Sequence, residues 1–158
     1  MKLKTSTICL TVCACLCAAL LSGCDKDKAN KSAAEIANGI LKSGIAFPEE
    51  MIEVNADNLS LRYGLASDTY TEYSVYWAGS AYYVDEICVI QAADGKVDTV
   101  KSAVESRLDA QKKSYESYIP AQYDRLCASD ITVRGNYVFW CVSDDNSKAL
   151  SLFNEAFS

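Results

Sequence analysis

Cys24 closes the run Leu21-Ser22-Gly23-Cys24, in which two small residues precede a thiol. Such a run can enter a peptidase cleft, and its sulfur can accept an acyl group. Ahead of it, Lys2 and Lys4 precede an apolar stretch from Ile8 to Leu21, too short to span a bilayer as a stable helix but suited to a cleaved signal core. Cys9, Cys13, Cys15 and Cys17 lie inside that stretch and act as small hydrophobes, despite their CxCxC-like spacing.

These residues together resemble the bacterial lipobox, with residues 1–23 as signal peptide and Cys24 as the lipidated residue. Two or more acyl chains, at about 0.8 kcal/mol per buried CH₂, anchor stably where one holds only marginally. The expected location is therefore extracytoplasmic, with the protein held to the bacterial cell membrane through its lipid.

The rest of the chain offers little catalytic chemistry. Histidine is absent, which removes the commonest general base, the usual partner of Ser or Cys nucleophiles and most zinc sites. Asp85 and Glu86 are adjacent at the start of a predicted strand, so their side chains point to opposite faces and cannot share one substrate atom. Asp144 and Asp145 suit a turn and a helix start. A glycosidase-type pair would need two acids roughly 5 to 9 Å apart in a cleft. No Gly-rich phosphate loop, Walker-type lysine or EF-hand spacing occurs, and the sequence implies no metal and no cofactor.

Beyond Cys24 the remaining cysteines are Cys88, Cys127 and Cys141, an odd number without a CxxC pair. Cys88 and Cys141 fall in predicted strands of one sheet and could be neighbours; free buried thiols are the plainer reading. Ten tyrosines are the other compositional oddity. Tyr70, Tyr76, Tyr82 and Tyr83 cluster around one predicted hairpin, and of these Tyr76, Tyr82 and Tyr83 are the candidate partner-binding residues, since tyrosine joins large rigid area to a polar tip.

The 158 residues carry 15 basic and 21 acidic side chains. Removing residues 1–23 takes away two lysines and no acid, so the net charge moves from −6 to −8. An acidic body argues against nucleic acid and against wide contact with anionic lipid. Residues 24–32, with alternating Lys and Asp, read as a flexible tether, and residues 33–158 as one domain.

Helical spacing of Ala33, Ile36, Ala37, Ile40 and Leu41 predicts a first helix over 33–42. A connecting stretch then runs through Met51, Ile52 and Val54 to a short helix over 56–63. Tyr70 to Trp77 alternates as a strand, with Tyr73, Val75 and Trp77 on one face. Ile87-Cys88-Val89-Ile90 is apolar throughout, which predicts a strand buried on both faces. The clearest helix follows: Val97, Val100, Val104, Leu108, Tyr115 and Tyr118 make a stripe whose polar member is Gln111, Asp109 and Lys113 pair on the exposed side, and Pro120 ends it.

Gly135-Asn136 between two β-rich runs predicts a two-residue primed turn. Its register sets Val133 against Val138 and Ile131 against Trp140, with Val142 on the same side. Tyr137, Phe139 and Cys141 take the other side, covered by a last helix that starts at Asp145 or Asn146 and buries Leu150, Phe153, Ala156 and Phe157.

The fold expected is a single small α+β domain in the order α-β-β-α-β-β-α, with a roughly four-stranded, mainly antiparallel sheet and packed helices. The lipobox, the helix ending near Phe47-Pro48, Asn58 to Gly64, Asp85-Glu86-Ile87, Tyr118-Ile119-Pro120 and Gly135-Asn136-Tyr137-Val138, in this order, resemble the DUF4358 family of lipoproteins from clostridia and relatives. That family has no assigned activity, so the resemblance implies no catalytic or binding residue. The function expected is an accessory or binding module of the cell envelope rather than an enzyme, with an unidentified envelope protein, glycan or small molecule as partner. The alternative is a small extracytoplasmic enzyme using carboxylates or a thiol.

Overall fold

The computed structural model describes residues 28–48 and 50–158; residues 1–23 and Cys24 lie outside that range. The elements are α1 (Ala33–Leu41), β1 (Met51–Glu53), α2 (Ala56–Tyr63), β2 (Tyr70–Ala78), β3 (Glu86–Ala92), α3 (Val97–Tyr115), α4 (Pro120–Cys127), β4 (Ile131–Arg134), β5 (Tyr137–Val142) and α5 (Asn146–Glu155). The strands form one antiparallel sheet in the order β1-β2-β3-β5-β4.

The unbroken apolar run of β3 has a direct physical reason, since the strand is central and covered on both sides. Cys88 and Ile90 join Val75, Val138, Trp140 and Val142 beneath α2, α3 and α4. Ile87 and Val89 join Tyr137, Phe139 and Cys141 beneath α1 and α5. The domain is thus three layers deep, with helices on both faces of an antiparallel sheet. On the first side Val100, Val104 and Leu108 of α3 are buried, each worth about 1.5 to 3 kcal/mol relative to exposure. On the second, Phe153 lies parallel to Phe139 at 4.6 Å between ring centroids and Phe157 closes edge-on, as the last-helix stripe predicts.

The β4–β5 hairpin has the expected register, Val133 opposite Val138 and Ile131 opposite Trp140. Gly135 has φ +56° while Asn136 keeps a negative φ, so the turn is of the II′ kind, with the left-handed residue at its first central position.

Three expectations need correction. The sheet has five strands rather than four, because the stretch through Met51 and Ile52 is β1, an edge strand of three residues held by Met51 opposite Ala78 and Glu53 opposite Tyr76. The long helix stops at Tyr115, and Pro120, which ends nothing more than the loop, sits at the first turn of α4, where its missing N–H is unneeded. Tyr118 accordingly leaves the buried stripe and is exposed, while Lys101 and Glu105 form the ion pair on the outer face of α3, at 2.8 Å. The tether also ends sooner than residue 32. The Asn30 N–H donates to the Ala156 carbonyl at 2.7 Å, its side-chain amide donates to the Ser158 carbonyl at 3.0 Å, and Ser32 forms a capping box with Glu35.

Candidate functional site

Asp85 and Glu86 lead into the central strand, and both are buried. They point to different partners, as their adjacency predicts. Arg125 of α4 reaches Asp85 with two nitrogens, at 2.6 and 2.8 Å, and touches exposed Asp144 at 3.1 Å. Glu86 stands under α3, where Arg107 donates from Nε at 3.3 Å and from Nη2 at 2.9 Å. Gln111 donates to the same carboxylate at 3.2 Å, and the Tyr63 hydroxyl donates to its other oxygen. The carboxylate thus has four donors, which is what a buried charge requires.

Burial pushes the Tyr63 hydroxyl well above the usual range, and neighbouring Cys88 and Glu86 add to it. Burial pulls Arg107 the other way, but the Glu86 carboxylate outweighs it and the guanidinium is held more firmly protonated. Each of the two acids is paired with an arginine.

Above this network opens a cleft of about 290 Å³, lined among others by Arg62, Trp77, Tyr83, Glu86, Arg107 and Tyr115. Asn55 caps α2 from its start and Gly64, at φ +69°, ends it, which leaves Arg62 in the last turn where a cation suits the helix dipole. Arg62 is exposed and lies 4.7 Å from the Trp77 ring centroid; Arg107 approaches the same ring to 5.9 Å. The loop after β2 forms one wall. It is tied by the Tyr115 hydroxyl, which donates to the Ala81 carbonyl at 2.7 Å, and by Gln122, which accepts from the Val84 N–H at 3.1 Å.

The predicted tyrosines divide. Tyr83 lines the cleft, and Tyr82 stands exposed on its loop. Tyr76 packs on the opposite face of the sheet, against the layer of α1 and α5. Sequence reasoning missed Arg62, Arg107, Arg125 and Tyr63. The signal that pointed to them was Gln111, the polar member of an apolar stripe, which faces a buried acid.

The cysteines are free, with Cys88 and Cys141 buried and Cys127 exposed. Cys88 is opposite Trp140, and Cys141 opposite Ile87, so the two thiols are one residue out of register and on opposite faces of the sheet. A bond between them would have to pass through the strands. Burial pushes the Cys141 thiol up to about 12 and that of Cys88 higher still. Among the described residues no group of three or more acids and cysteines is placed to hold a metal ion.

A family model described as "Domain of unknown function (DUF4358)" matches residues 45–143, a span that holds the whole sheet, α2 to α4 and the cleft. No curated protein and no solved structure matches the chain.

Proposed function

We propose that this chain, which belongs to the DUF4358 family, is a lipoprotein anchored outside a bacterial membrane through Cys24 and serves there as a binding module of the cell envelope. The observation that carries the binding reading is the arrangement of charge at the cleft. Asp85 and Glu86 are each closed off by an arginine, whereas among the described residues Arg62 has no acid partner and lies over the face of an indole. A cleft whose acids are already paired, and whose exposed cation is poised over an aromatic ring, favours holding a ligand over acid–base turnover. The lipobox supports both the location and the lipid anchor; among the described residues no helix is long and apolar enough to cross a membrane.

Two experiments test this reading. Intact-mass measurement should show acyl chains on Cys24 and none on Cys24→Ala, which should leave the membrane fraction; unchanged membrane association of the variant overturns the anchor. Envelope material captured by the wild type should be lost with Tyr82→Ser and Tyr83→Ser together. Tyr76→Ser, on the far face, should retain it. Equal capture by all three overturns the use of the cleft.

A further inference from the structure

The cleft is specific enough in its chemistry to name a ligand class, and this inference rests on the binding reading above. Arg107 spends Nε and Nη2 on Glu86, and its Nη1 donates to no described residue. Arg62 donates to none from any of its nitrogens, and both guanidinium groups flank Trp77. The whole fork of Arg62 and the Nη1 of Arg107 therefore border one cavity. Glu86 neutralises one guanidinium, so a single positive charge is left for a ligand, while Asp85 is neutralised by Arg125.

That excess matches a monoanion better than a phosphate dianion, which would face one cation beside two buried carboxylates. A carboxylate also fits the flat fork of a guanidinium in two-pronged fashion. The cavity is much larger than a lone carboxylate, and the rings of Trp77, Tyr83 and Tyr115 line it. Tyr118 lies 6.3 Å from Tyr115, whose hydroxyl holds the carbonyl of Ala81, the residue before exposed Tyr82. Arg62 covers one face of the indole on which a sugar ring would stack, which argues against a saccharide.

We infer that the cleft binds the free C-terminal carboxylate of a short peptide, with Arg62 and the Nη1 of Arg107 as donors and the peptide's side chains against Tyr82, Tyr83 and Tyr118. Salt should weaken the interaction, because Arg62 is exposed.

The test uses the full chain, purified in detergent, and two random tripeptide libraries that differ only in a free or an amidated C-terminus. The free library should be retained at least tenfold better. Arg62→Gln should remove that preference while its circular dichroism and melting temperature stay at wild-type values, and Lys101→Gln, on the outer face of α3, should keep it. Equal retention of both libraries, an unchanged preference in Arg62→Gln, or stronger retention of galacturonic acid than of any peptide overturns the inference. If envelope capture still depends on Tyr82 and Tyr83 in that event, the binding reading stands and the ligand class alone falls; if that dependence is absent too, both fall.

Discussion

Arg125 of α4 grips Asp85 at the mouth of β3 with two nitrogens, and through this pair the helix that follows Pro120 is fixed to the centre of the sheet. The same arginine donates from Nη2 to a second, exposed acid in Asp144, and its Nη1 donates also to the Gln122 side-chain oxygen. The contact joins three parts of the chain far apart in sequence: the entry to β3, the last turn of α4 and the exit from β5.

Removal of the arginine alone should therefore be costly. Arg125→Met leaves Asp85 buried without its counter-charge, which costs about 3 kcal/mol, at the lower end for broken buried pairs because the arginine side is partly wet. Adding Asp85→Asn should recover part of the loss. Urea unfolding of the single and double variants measures both, and a double variant less stable than Arg125→Met would refute the pairing.

Gly135 tests the turn. Its left-handed φ of +56° disfavours any β-branched residue, so Gly135→Val should destabilise by roughly 1 to 3 kcal/mol. A melting temperature equal to wild type would show that the hairpin turns elsewhere.

The thiols should differ sharply in reactivity. At pH 8 an alkylating reagent should modify Cys127 quickly and spare Cys88 and Cys141, whose thiolates are suppressed by burial. Peptide mapping after a short exposure reads this directly.

Alkali should destabilise the fold. The Cys141 pKa is raised from 9.0 to about 12 in the folded state, so the unfolded chain loses its proton first. The stabilisation is complete below pH 9 and disappears as pH climbs toward 12. Tyr63, raised for the same reason of burial, acts in the same direction above pH 10. Unfolding free energy measured at rising pH should fall over this window, and Cys141→Ala should flatten the slope.

Tyr115→Phe removes the hydroxyl that holds the Ala81 carbonyl and should cost about 1 kcal/mol. Hydrogen exchange at Ala81 to Tyr83 should accelerate while the amides of β3 stay protected. Uniform acceleration across the sheet would mean that Tyr115 supports the core rather than the loop.

Patterns of local period were legible in the sequence. The double-sided burial of β3, the faces of β2 and β5, the hairpin register and the stripe of α3 all follow from spacing and turn chemistry. β1 was not legible because three residues cannot display an alternation, and its identity comes from its partner β2. α4 was hidden by Pro120, which ends one helix in sequence terms but opens another in space. The cleft was hidden for a related reason: Arg107 and Arg125 sit beside charged residues along the chain, Arg62 is a lone cation on a short helix, and only the folded sheet reveals that two of the three serve buried acids. Gln111 alone broke the local pattern, and it did so at the site.

Asn30 is hydrogen-bonded to Ser158, so the start and the end of the described fold meet at one corner, on the side covered by α1 and α5. Five residues separate Asn30 from Cys24, a span of at most about 20 Å. With acyl chains on Cys24, as proposed above, that corner would be held close to the bilayer. The cleft lies across the sheet, on the side of α2 and α3, so a tag fused after Ser158 would emerge near the tether and away from the cleft.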